Sequence, residues 1–306
     1  MVSLALPKGS HLERPILGLL ATAGLDVRRA SDRSYRARIE YGGGIQVAFY
    51  KPREIPLIVE SGAFDLGMTG TDWIEETGAK VELVEAFTFA MTADPPWRVV
   101  LAVPGGHPAA SVGELLPGVR VATEYPKIAR QFFESVRLPA RVVHSFGASE
   151  AKIPELADAV IDIDGTGSAL GHNNMRIIAT LRTCTPHLIA GPAAWRDAER
   201  RTTIQRVARL LGSVDVGAAH VLLTVRTSSR DLPRVARSMP ESSWRAGTGL
   251  ADSGLVVVQG LAARQGLAET IDDILAAGAV DVIESHVGKS VTPHLSEHPP
   301  PCPRPW

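Results

Sequence analysis

The sequence predicts an α/β protein with a smaller α+β domain toward its C-terminal end. Two patterns carry that expectation. Through roughly the first two thirds, strand-length runs of apolar, β-branched residues alternate with helical periodicity, which indicates α/β layers with largely parallel sheets. The remainder switches to the order βαββαβ within about 70 residues, the ferredoxin-like arrangement. A chain of 306 residues, 45% hydrophobic and 21% charged, supports two or three domains with substantial cores.

Taken in order, Val2–Leu6 reads as a strand. Ser10-His-Leu-Glu13 has capping-box spacing ahead of Ile16, Leu17, Leu19 and Leu20, and Pro15 is tolerated so near a helix start. Arg53–Val59 reads as a helix, Phe64–Met68 as a short buried strand, Asp72–Glu76 as the start of a helix and Val81–Val84 as a strand. Arg98–Val103, Val119–Ala122, Ala140–Val143 and Val160–Ile163 are strand-like, with helices expected at Ser111–Leu115 and Pro126–Val136. One long helix is expected from Ala193 to Leu211, burying Trp195, Ile204, Val207 and Leu211. The final domain reads as strand Ala219–Val225, helix Arg230–Ser238, strands Trp244–Thr248 and Leu255–Leu261, helix Leu267–Ala277 and strand Val280–Ser285. From Val291 to Trp306 the prolines at 293, 299, 300, 301, 303 and 305 exclude helix and central strand and indicate a flexible tail.

Composition removes several function classes. The net charge is −1 with no long basic block, so nucleic acid has no electrostatic footprint to bind. Cys184 and Cys302 alone cannot build a disulfide framework or a cysteine zinc site, and fit a reducing compartment. The start of the chain lacks the charged and long apolar regions of a secretory signal, and no apolar run reaches the ~18 residues of a spanning helix. A cytoplasmic protein with no membrane partner is expected. None of the nine histidines has metal-ligand spacing. No nucleophile elbow supports a serine triad.

The most informative segment runs from Ala157 to Leu170: a buried strand that breaks at Gly165-Thr166-Gly167 and then can start a helix. Free backbone N–H groups at such a break, backed by a helix dipole, make a seat for phosphate. Asp162 and Asp164 stand just upstream, where carboxylates can face ribose hydroxyls or the Mg²⁺ of a pyrophosphate. Together they indicate a sugar-phosphate ligand. The plain alternative is an ordinary strand-to-helix turn. Thr69-Gly-Thr-Asp72 repeats the turn logic as a second candidate anion seat, unless Thr71 is a simple N-cap. His144 and His172 flank the first turn.

Several segments then line up in order: Leu4–Gly9, Lys51–Pro56, Asp65–Asp72, Arg98–Pro104, Val121–Pro126 with Arg130, Gly147–Glu150 and Ala157–Leu170. Gly249–Asp252 and Asp272–Gly278 extend the series into the final domain. On these motifs the chain resembles the long form of the ATP phosphoribosyltransferase family over about residues 1 to 290. The resemblance implies a two-lobed core like a periplasmic binding protein, followed by a ferredoxin-like (ACT-like) regulatory domain. Lobe I would comprise residues 1–93 and 175–212, lobe II residues 94–174, and the regulatory domain residues 216–290. It further implies transfer of the phosphoribosyl group of phosphoribosyl pyrophosphate to N1 of ATP in histidine biosynthesis, with Mg²⁺ and a homo-oligomer of hexamers and dimers.

By that resemblance, Asp162, Asp164 and Gly165, Thr166, Gly167, Ser168, Ala169 and Leu170 bind phosphoribosyl pyrophosphate. Lys8, Arg53, Asp72 and Tyr125 meet ATP. Lys8, Glu150 and Asp162 serve catalysis, and Glu150 and Asp164 are the metal candidates. Adenine N1 carries its own lone pair, so the chemistry asks for positioning and charge neutralisation rather than a strong base.

This chain departs from the family at Asp164, Ala169, Lys152 and Ile153, and at Trp244 and Arg245 in the final domain. An unscreened Asp164 at ~4–6 Å from a phosphate would repel it by about 3–4 kcal/mol at an effective dielectric near 20. Asp164 must therefore point away, hold Mg²⁺ or spoil binding. Trp244 and Arg245 put inhibition by histidine in question. A paralogue with another acceptor and a non-catalytic ligand-sensing subunit stay open as alternatives.

Overall fold

The computed structural model describes residues 1–88, 97–165, 168–239, 245–249 and 254–291. They divide into two compact units, one of Met1–Ala21 and Leu25–Ala208, the other of Thr22–Gly24 with the chain from Arg209 onward.

The first unit opens with β1 (Val2–Pro7), α1 (Glu13–Ala23), β2 (Arg28–Arg29), β3 (Arg36–Ile39), β4 (Ile45–Tyr50), α2 (Ile55–Glu60), β5 (Leu66–Gly70), α3 (Thr71–Thr77) and β6 (Glu82–Ala86). It continues with β7 (Arg98–Pro104), β8 (Val119–Thr123), α4 (Pro126–Ser135), β9 (Ala140–His144), β10 (Ala159–Asp164), α5 (Ser168–His172) and β11 (Met175–Thr183). Last come β12 (Pro186–Ala190), α6 (Pro192–Arg196) and α7 (Ala198–Ala219).

Two sheets result, one per lobe. The first is ordered β2-β3-β4-β1-β5-β12-β6, the second β11-β7-β10-β8-β9. β1 lies parallel between β4 and β5, and β8 lies parallel between β10 and β9. Parallel neighbours end on the same edge, so Lys8, Lys51–Arg53 and Thr71–Asp72 share one rim of the first sheet. Glu124–Tyr125 and Gly165 likewise share one rim of the second. Ligand loops in open α/β sheets collect at such rims.

The expectation of largely parallel sheets needs correction. β12 runs antiparallel to β5 and β6, β7 antiparallel to β10 and β11, and β2-β3-β4 form an antiparallel edge. The sequence also hid β2, β3 and β4, whose arginines and the Gly42–Gly44 turn look like loop composition. β11 stays with the second sheet, so the chain re-enters the first sheet at β12, past the expected boundary at 174.

Several element boundaries shift for local reasons. Ser10 does not cap α1 through its hydroxyl: the Glu13 amide donates to the Ser10 carbonyl (3.2 Å), and the Glu13 carboxylate accepts from the Gly9 amide (2.7 Å). The expected long helix is two helices, because Asp197 turns extended and its carboxylate accepts from the Arg200 amide (3.0 Å), starting α7 afresh. The helix expected at Ser111–Leu115 is a single 3-10 turn, and β5 begins two residues later than Phe64. α3 is N-capped by the extended Gly70, not by Thr71. Only glycine fits there, since a Cβ would lie 2.1 Å from Asp72 Oδ1 and 2.5 Å from the Trp97 ring.

The second unit holds β13 (His220–Ser228), α8 (Leu232–Arg237), β14 (Arg245–Gly249), β15 (Leu255–Ala263), α9 (Leu267–Ala276) and β16 (Ala279–His286). Its antiparallel sheet, ordered β14-β15-β13-β16, is the ferredoxin-like topology that the element order predicts. Strict alternation along β13 sends Val221, Leu223 and Val225 into a core with Val235, Val258 and Ile274. Trp244, Asp252 and the proline-rich tail beyond Val291 lie outside the described residues.

Candidate functional site

β10 delivers Asp162, Ile163 and Asp164 to the turn that opens at Gly165. Thr166 and Gly167 lie outside the described residues, and Ser168 and Ala169 are described only as backbone of α5. Leu170 is buried in the lobe II core with Val100, Ala102, Ala122, Ala157 and Val160, so its side chain anchors α5 rather than facing a ligand.

Asp164 pairs with Arg98, its register partner across the β10–β7 ladder. The carboxylate is 6% exposed and the guanidinium 44% exposed. A cation therefore answers the charge that the sequence places beside the turn. Arg98 takes Asp164 Oδ2, and Asp164 Oδ1 is buried without a hydrogen-bond partner.

Asp162 is half-buried and its Oδ1 accepts from the Ile163 amide (2.7 Å). Burial pushes its carboxyl above the usual range, that amide and the Ser149 hydroxyl oppose the shift, and Glu150 and Glu124 add to it. Glu150, on the 3-10 turn Ser149–Lys152, accepts from Asn173 Nδ2 (3.2 Å), which ties it to the segment after α5. Lys152 fastens the preceding turn. Its ammonium donates to Ser145 Oγ (2.7 Å) and to the carbonyls of Gly147 (2.9 Å) and Ala148 (3.3 Å). Ala148 sits at φ +44°, a left-handed conformation that costs a non-glycine residue about 1 kcal/mol or more.

Lys8 stands between two cavities on the lobe I rim. One, of about 510 Å³, is walled by Tyr35, Phe49, Tyr50, Arg36 and Lys51. The other, of about 620 Å³, is lined by His11, Glu13, Arg14, Arg29 and Asp32. The Lys8 ammonium donates to the Asp32 carbonyl (2.9 Å) and lies 4.5 Å from the centre of the Tyr35 ring, which is itself 63% exposed. Arg53 is exposed on the 3-10 turn Pro52–Glu54.

Asp72 and Tyr125 are brought together, and both are buried. Tyr125 donates its hydroxyl to Asp72 Oδ2 (2.9 Å) and stacks on Trp73 (ring centres 4.4 Å apart), joining lobe I to lobe II. Burial pushes the Asp72 carboxyl up to about 6, against the Tyr125 hydroxyl, the Trp73 amide and the Trp97 indole. Asp72 Oδ1 and Trp97 Nε1 have no fully formed hydrogen bond, although the indole N–H acts on the carboxyl from close by. Burial, then the Asp72 charge, drives the Tyr125 hydroxyl well above its ordinary pKa.

The same lobe contact holds residues that local sequence patterns do not reveal. Glu76 accepts from the amides of Lys127 and Ile128 (2.9 Å each) at the start of α4. Arg182 forks onto Glu75 (2.7 and 2.9 Å). The second anion seat is not open: the Thr71 amide donates to the Thr185 carbonyl (3.0 Å), and the Thr71 hydroxyl accepts from the Thr185 amide (3.1 Å). Neither flanking histidine joins the site. His144 packs on Phe146 (4.4 Å), and His172 is exposed at the end of α5.

Two α/β lobes, one with a carboxylate-bearing strand that ends at Gly165 and the other with a lysine on its rim, define a two-lobed α/β protein. The chain belongs to the ATP phosphoribosyltransferase family. The family model of that description matches residues 51–213. The chain is 33% identical to an ATP phosphoribosyltransferase of Nitratidesulfovibrio vulgaris (strain DSM 19637 / Miyazaki F) over 292 residues, 95% of this chain and 98% of that protein. It is also 33% identical to one from Chlorobaculum parvum over 291 residues, with the same coverage. Among solved structures, the ATP phosphoribosyl transferase (HisG:HisZ) complex from Thermotoga maritima matches with a TM-score of 0.56 and 25% identity, over 69% of this chain and 99% of that one.

Proposed function

We propose that this protein joins N1 of the adenine of ATP to C1 of phosphoribosyl pyrophosphate, releasing pyrophosphate, as the first step of histidine biosynthesis. The family match over nearly the whole chain carries the reading. What supports it in the fold is that Lys8 and Lys51 follow parallel strands at one rim of the first sheet, and Tyr125 and Gly165 do so at one rim of the second.

In this reading the Gly165–Leu170 turn takes the 5′-phosphate through backbone groups, and Thr166 and Ser168 add hydroxyls. Asp162 and Glu150 face the ribose, where positive charge develops as the C1–oxygen bond breaks. Lys8 meets the phosphates, and Arg53 meets the nucleotide from an exposed turn. Tyr125 gives its hydroxyl to Asp72 Oδ2, so in this reading the pair acts on ATP by holding the wall between the lobes. The chain's part is to orient two reactants and neutralise charge, the main source of acceleration in such transfers.

Magnesium belongs to this reading as the ion carried on pyrophosphate. The described side chains do not build a cage for it. Asp164 Oδ2 pairs with Arg98, Glu150 Oε1 accepts from Asn173, and no group of three or more metal-type ligands occurs among the described residues. Magnesium is commonly held by one or two carboxylates together with substrate phosphates, and Glu150 or Asp162 suffices for that.

The two sheets stand for the two catalytic lobes, with the return to lobe I between β11 and β12. The ferredoxin-like domain is taken as the regulatory module of a cytoplasmic homo-oligomer, with hexamer and dimer as its states. No helix among the described residues is long and apolar enough to cross a membrane. The test is direct: incubate the protein with Mg²⁺, ATP and phosphoribosyl pyrophosphate and seek phosphoribosyl-ATP by mass spectrometry. Absence of that product overturns the reading. Product with another nucleobase but not ATP would replace it with a paralogue.

A further inference from the structure

The cavity of about 620 Å³ beside Lys8 has an occupant-shaped charge balance that the reading above leaves unused. Arg29 is drawn to Glu13 (3.5 Å) and Asp32 (3.1 Å), and with Lys8 and Arg14 the lining carries one positive charge in excess. Ser10 Oγ is buried there without a hydrogen-bond partner. His11 completes the wall. His11 is exposed, and its ring packs edge-on with Trp97 at 5.0 Å between ring centres.

Trp97 links this wall to the phosphate turn. The indole is buried, and a Cβ placed on Gly165 would lie 3.7 Å from the Trp97 Cβ. Its carbonyl accepts from the Cys184 amide (2.8 Å), so both strands that cross between the lobes are fastened at this point. A sugar donor with its 5′-phosphate at the turn carries its pyrophosphate on the far side of the ribose. Through Trp97, the cavity lined by Lys8 and His11 is joined to Gly165.

We propose that His11 is a further site residue, donating a ring N–H to the leaving pyrophosphate and taking up a proton from solvent when that anion binds. The inference rests on the phosphoribosyltransferase reading. As C1–O breaks, its electron pair stays on the pyrophosphate oxygen, adenine N1 supplies the pair for the new C1–N bond, and the imidazolium stabilises the oxygen by a charge-assisted hydrogen bond. The proton returns to solvent when pyrophosphate leaves, so His11 is neither consumed nor oxidised.

Burial lowers the pKa of His11 from its ordinary value. Lys8, Arg14, Arg29, Glu13 and Asp32 are the charged groups that line the same cavity. Asp72, behind Trp97, titrates separately.

The experiment is calorimetric titration of the full-length protein with magnesium pyrophosphate at pH 7.5, in two buffers of different ionisation heat. The wild type should take up a larger fraction of a proton than His11→Gln, since uptake by the ligand itself is common to both. His11→Gln should bind about tenfold more weakly. Asp72→Asn should keep the wild-type uptake, which separates the two titrating groups. Equal affinity and equal uptake in wild type and His11→Gln would overturn the proposal while leaving the transferase reading intact. Failure to make phosphoribosyl-ATP, with His11-dependent pyrophosphate binding retained, would overturn that reading and leave the pyrophosphate site standing.

Discussion

Replacing Asp72 by Asn should stabilise the protein at alkaline pH and do nothing near pH 4. The Asp72 carboxyl is 1% exposed, and burial raises its pKa from 3.8 to about 6. The folded state thus holds this proton more tightly than the unfolded chain. Below pH 3.8 both states are protonated and burial costs nothing in charge. Between about 4 and 6 the unfolded chain ionises first, and stability falls as pH rises. Above 6 both are ionised, and the folded state bears the whole penalty. About 2 pKa units at 1.36 kcal/mol each put that penalty near 3 kcal/mol. Asn keeps the size of Asp and an oxygen that accepts from Tyr125, but carries no charge. Urea unfolding of wild type and variant at pH 4.5, 6 and 8 should show a gap that opens with pH. A gap of the same size at every pH, or a variant less stable at pH 8, would refute the assignment.

Three further outcomes are expected. Arg98→Ala should destabilise by less than the ~3–5 kcal/mol of a fully buried pair, because Arg98 is 44% exposed, and should raise KM for phosphoribosyl pyrophosphate; adding Asp164→Val should recover both, as read by a double-mutant cycle. Glu76→Ala removes the carboxylate that accepts two α4 amides and should cost about 1–2 kcal/mol in denaturant titrations. Lys152→Met frees the turn that carries Ala148 and Glu150, and steady-state kinetics should show KM rising for phosphoribosyl pyrophosphate more than for ATP.

What could be read from sequence was local. β1 and β7 are mostly apolar, β10 opens on Ala-Val-Ile, and α4 opens on Pro126, so their places were plain. The final βαββαβ order survived intact because its strands alternate cleanly along β13. Arginine-rich β2 and β3 were missed because they form a solvated edge, where side-chain polarity says little about the backbone. The position of Asp164 beside the turn was legible, but its partner lay 66 residues earlier. Asp72 and Tyr125, 53 residues apart, read as separate nucleotide contacts until tertiary structure joined them. Motif resemblance marks where site residues fall along the chain; it does not say which of them bond to one another.

The contact between the lobes concentrates on α3. Asp72, Trp73, Glu75 and Glu76 engage Tyr125, Arg182 and the start of α4. Two of these carboxyls, Asp72 and Glu76, have their pKa raised by burial, so the interface costs stability that an apolar contact of the same area would not. Directional hydrogen bonds give something in exchange. They fix the rotation of one lobe on the other, whereas an apolar face tolerates sliding. In the proposed reaction, adenine N1 must meet C1 of the ribose within bonding distance. A misplacement of about 1 Å can cost such a reaction about 100-fold. A polar, geometrically exacting junction is therefore the expected solution, and a substitution that keeps its packing but loses its hydrogen bonds should harm kcat before it harms folding.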